Sequence, residues 1–463
     1  MIINLVISKN RQLWDASKKN LLVGKWCYDE KIDDKNYDLV DYHWKDEDKI
    51  EKDIKKILNI YEAVTPKLIQ ILNQINDRNY SKEFWELLIY RWTSLLLVNL
   101  YDRWEVIEKT NKEMNIQVNY FDYDKSHFIP LDTNYFTNSI QLTNEWSHYI
   151  FYKILLHKKK KFKNISFNKI ITNKNSNFLK NSLSKGYKKN FFYRLKAFFH
   201  KKDKIFIQKL YFSLLDKILL SLKFFQTPTK FPDEKINDKN EINFDKRSKI
   251  TEKFLKGEDF ENFFLSTALE KLPKIFFENF SELEKAYENL NWPKSPKYIF
   301  TSLSHFNDEI FKFYTAKKKI DGAKLFIHQH GGTYGLQKHL LNEYFEKKIS
   351  DRFLTWGWED DNKCLPLHYP YTNKNFKKKK DNSGIIISAV NFYNIPGRID
   401  SFPRDIYKTE QYNKNLEKII SGLYKDINKI SVKYFDYNRS PNLKDIISSK
   451  YENICFITSK KKK

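Results

Sequence analysis

Residues 328–335, His-Gln-His-Gly-Gly-Thr-Tyr-Gly, combine two histidines with three glycines and offer the residue types best suited to chemistry. They follow a predicted strand, Ala323–His328, at the kind of strand end where parallel α/β sheets bind ligands. Paired glycines let a backbone approach an anionic group closely, and a following helix start favours phosphate. His330 could take a proton from an acceptor hydroxyl or donate to a phosphate oxygen. The sequence leaves open a structural alternative, a tight turn whose glycines supply positive φ and whose histidines are buried packing residues.

The same turn argues against several common sites. Its glycines match neither GxGxxG nor GxxxxGK[ST], so a dinucleotide-binding or P-loop assignment is not supported. His328 and His330 are two residues apart with no cysteine or carboxylate at ligand spacing, and no metal site is predicted. The three cysteines (Cys27, Cys364 and Cys455) lie far apart, which disfavours a disulfide framework and a zinc ribbon.

Other polar candidates lie in the turn after the preceding predicted strand, Lys297–Ser302. His305, Asn307 and Glu309 could line the same cleft, although Ser304 or Asn307 also suits a helix N-cap. They stand at the start of the predicted helix Asn307–Lys319.

A second polar group, Asp102 and Arg103, lies on the predicted helix Ser81–Lys109. A structural ion pair is the default interpretation there, and a substrate contact is the alternative. The aromatic and leucine stripe of that helix predicts packing in the core.

Length and composition limit the function classes. The chain has 463 residues, 41% hydrophobic and 16% aromatic, enough to bury a large core and form several domains. Its net charge is +25, but only ten of the 83 basic residues are arginine. The positive charge invites a nucleic-acid hypothesis, but arginine is the residue favoured for base and phosphate contacts, and its scarcity argues against a dedicated nucleic-acid role. An anionic substrate or a peripheral anionic membrane surface fits it as well.

The order of predicted elements indicates an α/β protein. The first part is two strands followed by long helices, including Ile50–Asn76, and Phe206–Phe225 also has helical periodicity. From Lys297 onward strands and helices alternate, which predicts parallel, doubly wound sheets joined by the lysine-rich linker 373–382. With no signal peptide and no apolar stretch long enough to span a bilayer, a cytoplasmic protein is expected.

Residues 157–204 are rich in lysine and aromatic side chains. This pattern suits a patch for phosphate-rich partners or an anionic membrane face, or else a solvated insertion. The domain prediction is therefore a region of strands and helices at 1–156, an insertion and helical linker at 157–250, a Rossmann-like domain at 251–372 and a partial one at 383–463.

Three successive segments are similar to a family of transferases from bacterial O-antigen and surface-polysaccharide loci. They are NWPKSPKYIFTSLSHFNDEIFKFYTAKK, GAKLFIHQHGGTYG and KISDRFLTWGWED, at residues 291–318, 322–335 and 348–360. Val23–Cys27 (VGKWC) and Tyr101–Arg103 (YDR) also resemble family segments, and the last match is Ser388–Gln411.

This resemblance implies a GT-B-like pair of Rossmann-like domains with a large helical N-terminal region. The implied reaction moves a glycosyl or polyol-phosphate group from a nucleotide-activated donor to a carbohydrate or lipid-linked glycan acceptor, with no further cofactor. Family members continue beyond the point matched by the end of this chain, so the second domain is expected to be truncated. Asp308 before Glu309, and His328 where a small residue is commoner, depart from the family pattern.

The family's QHGG turn falls on residues 329–332 and its N-E-I-F-K segment on Asn307 and residues 309–312. We expect His330 to be catalytic, either deprotonating the acceptor or steadying the departing phosphate. The expected substrate-binding residues are Gln329, Gly331, Gly332, Tyr334, Asn307, Glu309 and Lys312. The further candidates are His305, His328, Asp102 and Arg103.

Two rival functions remain at this point. A truncated donor domain suits a non-catalytic scaffold associated with glycan or membrane. A nucleic-acid binder using residues 157–204 is the third hypothesis, and it predicts a steep dependence of affinity on salt.

Overall fold

The computed structural model describes the chain in several stretches. They are residues 2–27, 37–171, 202–226, 236, 238–254, 257–337, 340–367, 385–389, 406–424, 430–434, 447–448, 450–451 and 454–458. The predicted linker 373–382 lies outside these residues.

Ten longer helices and thirteen strands occur in the described residues. The helices are α1 Glu47–Asn76, α2 Lys82–Lys109, α3 Asn144–His157, α4 Leu214–Lys223, α5 Phe244–Thr251, α6 Phe260–Glu270, α7 Phe280–Glu288, α8 Glu309–Ile320, α9 Leu341–Ile349 and α10 Ile406–Tyr424. The strands are β1 Ile2–Val6, β2 Lys19–Leu22, β3 Tyr37–Leu39, β4 Asn115–Tyr120, β5 Asn164–Lys169, β6 Ile205–Gln208, β7 Tyr298–Thr301, β8 Lys324–His328, β9 Arg352–Thr355, β10 Cys364–Pro366, β11 Ile385–Ala389, β12 Ile430–Tyr434 and β13 Ile454–Thr458. Short helical turns lie at Thr133–Tyr135, Phe136–Ile140 and Ser304–Asn307.

The strands form three parallel sheets, which confirms the predicted α/β class with parallel sheets. The first sheet has the order β3-β2-β1-β4-β5, and its order reverses at β1. The second has the sequential order β6-β7-β8-β9-β10. The third consists of β11, β12 and β13, with its own small core around Ile420 and Val432.

The sequential order of the second sheet corrects the prediction of doubly wound sheets for this part of the chain. A doubly wound sheet reverses its strand order at an inner strand, and such a point is present only in the first of the two larger sheets. Each crossover in the second sheet returns to the neighbouring position. Because its five strands are all parallel, their carboxyl ends lie along one edge of the sheet, which is where the candidate site lies.

Helix α2 lies in the middle of the core. Of its 28 residues 23 are buried, and it packs against α1, α3, α6, α8 and α9. Ser81 begins it by accepting a hydrogen bond from the backbone N–H of Phe84. One continuous hydrophobic cluster includes residues of this helix and of strands from both larger sheets. The predicted role of its aromatic stripe in core packing is confirmed.

Residues 157–250 contribute a strand to each larger sheet. β5 pairs with β4 at the edge of the first sheet, and β6 pairs with β7 at the edge of the second. The predicted helix Phe206–Phe225 is therefore wrong at its start, and the helix begins at Leu214. Phe206 is buried against Trp292 and Tyr314, which provide a sheet-face pocket that overrides the helical periodicity.

Among the described residues, no helix combines the length and the apolar character needed to cross a bilayer.

Because α2 lies at the centre of the core, we expect the free energy of unfolding to depend on its buried side chains. Leu96 is fully buried in this helix, so Leu96→Ala should lower the free energy of unfolding by about 2–5 kcal/mol through lost burial and an unfilled cavity. Chemical denaturation measures this change. Ile320→Ala, at a position 59% exposed, is the control and should cost about 0.5 kcal/mol or less. A loss below about 1 kcal/mol at Leu96 would show that α2 does not hold the core together.

Candidate functional site

The carboxyl ends of β7 and β8 bring the histidines of the sequence motif together. The chain leaving β7 reaches His305, and the chain leaving β8 reaches His330. Both imidazoles point at Glu346, a fully buried carboxylate on α9. The Nε2 atoms of His305 and His330 lie 3.7 and 3.5 Å from its two oxygens. His305 and His330 therefore lie at one site, on either side of the Glu346 carboxylate.

A tyrosine links His330 to that carboxylate. The Tyr334 hydroxyl donates a hydrogen bond of 2.6 Å to Oε1 of Glu346 and lies 2.6 Å from Nε2 of His330. Tyr334 and Glu346 are buried, whereas the side chain of His330 is 19% exposed. The three groups thus form a chain that runs from the buried carboxylate to a partly exposed imidazole.

The donors and acceptors of this chain determine the tautomer of neutral His330. An ionised carboxylate can only accept, so the single hydroxyl proton of Tyr334 is directed to Glu346. The hydroxyl oxygen must then accept from Nε2–H of His330. Nδ1 is left as the unprotonated nitrogen, and among the described residues none hydrogen bonds to it. A neutral His330 therefore presents a proton acceptor at Nδ1.

Burial and hydrogen bonding act in opposite directions on these groups. Burial alone would raise the pKa of Glu346, but the neighbouring imidazoles of His305 and His330 outweigh it and lower the pKa to about 2. Burial lowers the pKa of His305, although the nearby Glu346 opposes this shift. Burial also raises the pKa of Tyr334, and Glu346 adds to that shift. At neutral pH the site therefore holds an ionised Glu346 and a protonated Tyr334.

Helix α2 supplies a positive charge beside the histidines. The Arg91 guanidinium lies 4.7 Å from the ring centre of Phe306 and donates to Oδ1 of Asn342 at 2.5 Å. The Phe306 ring in turn meets the His330 ring edge-on at 5.0 Å. Asn342 and Glu346 are one helical turn apart on α9, so one face of that helix holds both polar contacts.

The two central glycines of the turn do not need positive φ. Among the described glycines only Gly322, Gly335 and Gly357 have it, which overturns the tight-turn explanation for Gly331 and Gly332. Among the described residues, a Cβ at Gly332 would meet no atom within 4 Å, and one at Gly331 would make only ordinary contact with the Tyr334 ring. No packing or backbone constraint accounts for glycine at these positions, and the open space beside them is available to a ligand.

Gln329 holds the turn in place rather than facing a ligand. Its Oε1 accepts from the Trp356 backbone N–H and from Nε1 of Trp358, and its Nε2 donates to the Gly331 carbonyl. The side chain is 2% exposed. We therefore correct its expected role from substrate contact to positioning residue, because its amide is already satisfied within the protein.

The expected roles of Glu309 and Lys312 as substrate-binding residues are also corrected. They form a buried ion pair of 2.7 Å on α8, with Lys312 also donating to the Leu88 carbonyl of α2. Glu309 accepts from the backbone N–H of Thr133. A lysine that is fully buried in this way ties α8 to α2 and does not reach a substrate. Asn307 differs, because its buried Oδ1 has no hydrogen-bond partner among the described residues.

His328 is a packing residue at the edge of the site. Its Nδ1 lies 3.3 Å from the Ser302 hydroxyl, and its ring meets Phe212 edge-on at 5.1 Å. Burial lowers its pKa to about 4, and His330 adds to that shift. It is therefore neutral at physiological pH.

Asp102 and Arg103 lie elsewhere on α2, eleven or more residues and about 16 Å of helix beyond Arg91. Asp102 accepts from the Tyr42 hydroxyl at 2.8 Å and contacts Nε2 of His43 at 3.1 Å. Arg103 is buried and donates to the Asn99 carbonyl. The structure therefore gives both residues internal partners near the carboxyl end of β3 and does not bring them to the QHGG turn.

In the part of the chain that the structure describes, two groups of side chains have the spacing of metal ligands, and a lysine ammonium already lies against each. The first is His43, Asp53 and Glu105, and the second is Asp360, Asp361 and Cys364. Lys49 lies 2.8 Å from Asp53 and 3.4 Å from Glu105, and Lys347 lies 2.6 Å from Asp360. In each group the lysine supplies the positive charge that the carboxylates require.

Sequence reasoning missed Glu346, Arg91 and Asn342. Arg91 did carry a signal, since it is the one charge inside an otherwise apolar run of α2. Glu346 follows Phe345 directly, beside the apolar stripe of α9, and that signal is weak because amphipathic helices often have a glutamate at such a boundary.

Because His328 is buried, we expect it to make the stability of the protein depend on pH. Its pKa is about 4 in the folded protein and near 6.5 in the unfolded chain, so acid favours unfolding in this range. Relative to His328→Asn, the wild type should lose about 2 kcal/mol of stability between pH 7 and pH 5. Denaturant titrations at the two values measure the difference. His127→Asn, at an exposed position, is the control, and an equal pH response in both variants would contradict neutral burial of His328.

No curated protein and no solved structure matches the chain. A family model described as "LIC12162 family transferase" matches residues 3–463. Since that match extends over nearly the whole chain, the protein belongs to the LIC12162 family of transferases.

Proposed function

We propose that the protein transfers a glycosyl or polyol-phosphate group from a nucleotide-activated donor to a hydroxyl of a carbohydrate or lipid-linked glycan acceptor. The observation that carries the proposal is the partly exposed His330, whose Nε2 is fixed through Tyr334 so that Nδ1 is left as the proton acceptor, next in the chain to an open glycine turn. Membership of a transferase family supports a group-transfer reaction. The resemblance to surface-polysaccharide transferases supports the donor and acceptor classes.

In the proposed step, Nδ1 of His330 takes the proton of the acceptor hydroxyl. The acceptor oxygen forms a bond to the activated carbon or phosphorus of the donor. The bond from that atom to the nucleotide phosphate oxygen breaks, and this oxygen leaves with the electron pair. The resulting imidazolium is stabilised by the Glu346 carboxylate, whose negative charge acts through the Tyr334 hydroxyl.

The departing phosphate needs positive charge and backbone donors. The open backbone at Gly331 and Gly332 lets an anionic group approach closely, and Arg91 places a guanidinium on the Phe306 ring, which in turn contacts His330. Asn307, with its unpartnered buried Oδ1, can accept a hydrogen bond from a donor or acceptor hydroxyl. The donor is a substrate, so the proposal requires no additional cofactor.

A GT-B-like arrangement is part of this proposal. The order β3-β2-β1-β4-β5 of the first sheet is that of a Rossmann-like unit and supports it. The sequential second sheet departs from that order, so the site proposed here rests on side-chain geometry and not on fold analogy.

The proposed role of His330 is testable by turnover. Purified protein is incubated with UDP-, GDP- and CDP-activated sugars and polyols and a glycan acceptor, and released nucleotide is measured. His330→Ala should lower the turnover of the best donor by about 10²–10⁴-fold, since it removes the general base. Tyr334→Phe keeps the imidazole but loses the link to Glu346, and its loss should be smaller.

Two checks complete this experiment. The thermal midpoint of His330→Ala should stay close to that of the wild type, because the side chain is partly exposed. His127→Ala, at an exposed position, should keep full activity. Full activity of His330→Ala would remove this residue from the mechanism, and no release from any donor would contradict the proposed function.

A further inference from the structure

Helix α4 presents an apolar face to solvent. Leu215, Leu219 and Leu222 are 70%, 57% and 56% exposed, and their spacing places them along one side of the helix. Leu214 and Phe225, at its two ends, are also exposed. Five of the fourteen exposed large hydrophobic side chains in the described residues thus lie within twelve positions. Such a concentration marks an interaction surface.

The helix is held firmly at both ends. Ser213 caps it by accepting from the Asp216 backbone N–H. At the other end Gln226 accepts from the backbone N–H groups of Lys204 and Ile205 and donates to the Ile205 carbonyl. Because the hydrogen bonds of Gln226 connect the end of α4 to strand β6, the exposed leucines have a fixed orientation relative to the second sheet.

The sequence in and before this helix is basic. Residues 202–226 contain five lysines and two aspartates. Of those aspartates, Asp203 is buried and Asp216 is hydrogen bonded to the Ser213 hydroxyl. The preceding sequence continues this bias, since residues 158–204 contain fifteen lysines, one arginine and a single carboxylate.

The candidate site adjoins this helix. The backbone N–H of Tyr211, three residues before α4, donates to the Ser302 hydroxyl at 3.0 Å. The ring of Phe212 meets His328, which directly precedes the QHGG turn. A surface bound to α4 would therefore lie beside the carboxyl edge of the second sheet.

We propose that α4 inserts its leucine face into the interface of an anionic lipid bilayer, with the flanking lysines at the lipid headgroups. An amphipathic helix with apolar residues on one face and lysines nearby binds in this manner, and anionic lipid strengthens the attraction. Charge favours a membrane over a second copy of the chain, because two copies docked through α4 would bring like lysines together. This surface goes beyond the proposed reaction, and its test needs no turnover.

The test is co-sedimentation of the purified full chain with lipid vesicles. Vesicles of phosphatidylcholine containing phosphatidylglycerol should bind the wild type, and vesicles of phosphatidylcholine alone should bind it much less. The variant Leu215→Ser with Leu219→Ser should lose at least about tenfold in partitioning. The matched control, Ile320→Ser with Ile419→Ser, changes two exposed isoleucines elsewhere and should bind as the wild type does.

Further measurements check that the variants fold and distinguish membrane binding from a contact between two copies of the chain. Circular dichroism and the thermal midpoint establish that both double variants fold. Light scattering after size exclusion gives the oligomeric state, and a wild-type oligomer that α4 serines dissociate would overturn the proposal in favour of a contact between copies. Wild-type protein that ignores phosphatidylglycerol vesicles, or an α4 variant that binds them normally, would also overturn it.

Discussion

The structure depends on the complete burial of α2. A helix with water on one side can tolerate polar substitutions there, but α2 is surrounded by other helices and shares one core with strands of both larger sheets. A charged residue inside it then requires an internal partner, since an unpaired buried charge is costly. Arg91 contacts Asn342 of α9, and Asp102 contacts His43 after β3. These contacts fix the position of the helix relative to the elements that form the candidate site.

The same constraint explains the chemistry of the second sheet. Glu346 remains ionised inside the protein because two histidines and a tyrosine surround it, and removing the buried His305 or the buried Tyr334 would leave its charge poorly compensated. That carboxylate, acting through Tyr334, gives His330 one defined tautomer. A partly exposed imidazole with a fixed proton is a better general base than a freely rotating one, because the nitrogen that must accept the proton is already defined.

Much of this arrangement could be predicted from sequence, and the limits have physical causes. Local signals were strong for α2, for the strand ending at His328 and for the QHGG turn, where periodicity and glycine placement are read directly from the chain. The strand at Phe206 was missed because its aromatic side chain also fits a helical period, and only its partners Trp292 and Tyr314 decide the matter. Lys312 and Glu309 suited a ligand by charge, but their position on the inner face of α8 pairs them with each other. Glu346 could not be connected to His330 because no sequence rule links a helix residue to a turn twelve or more residues away.

The central claim is that the backbone at Gly331 and Gly332 receives the anionic part of a nucleotide-activated donor. The most direct measurement is calorimetric titration of the wild type and of Gly332→Ala with UDP, GDP, CDP, CMP and dTDP. A methyl group at position 332 would meet no atom of the described part of the chain within 4 Å, so the variant should fold with an unchanged thermal midpoint. The wild type should bind one of these nucleotides, and the variant should bind it at least about tenfold more weakly, a difference of about 1.4 kcal/mol. Equal affinity in the two proteins, or no binding by the folded wild type, would contradict the claim that this turn holds the donor.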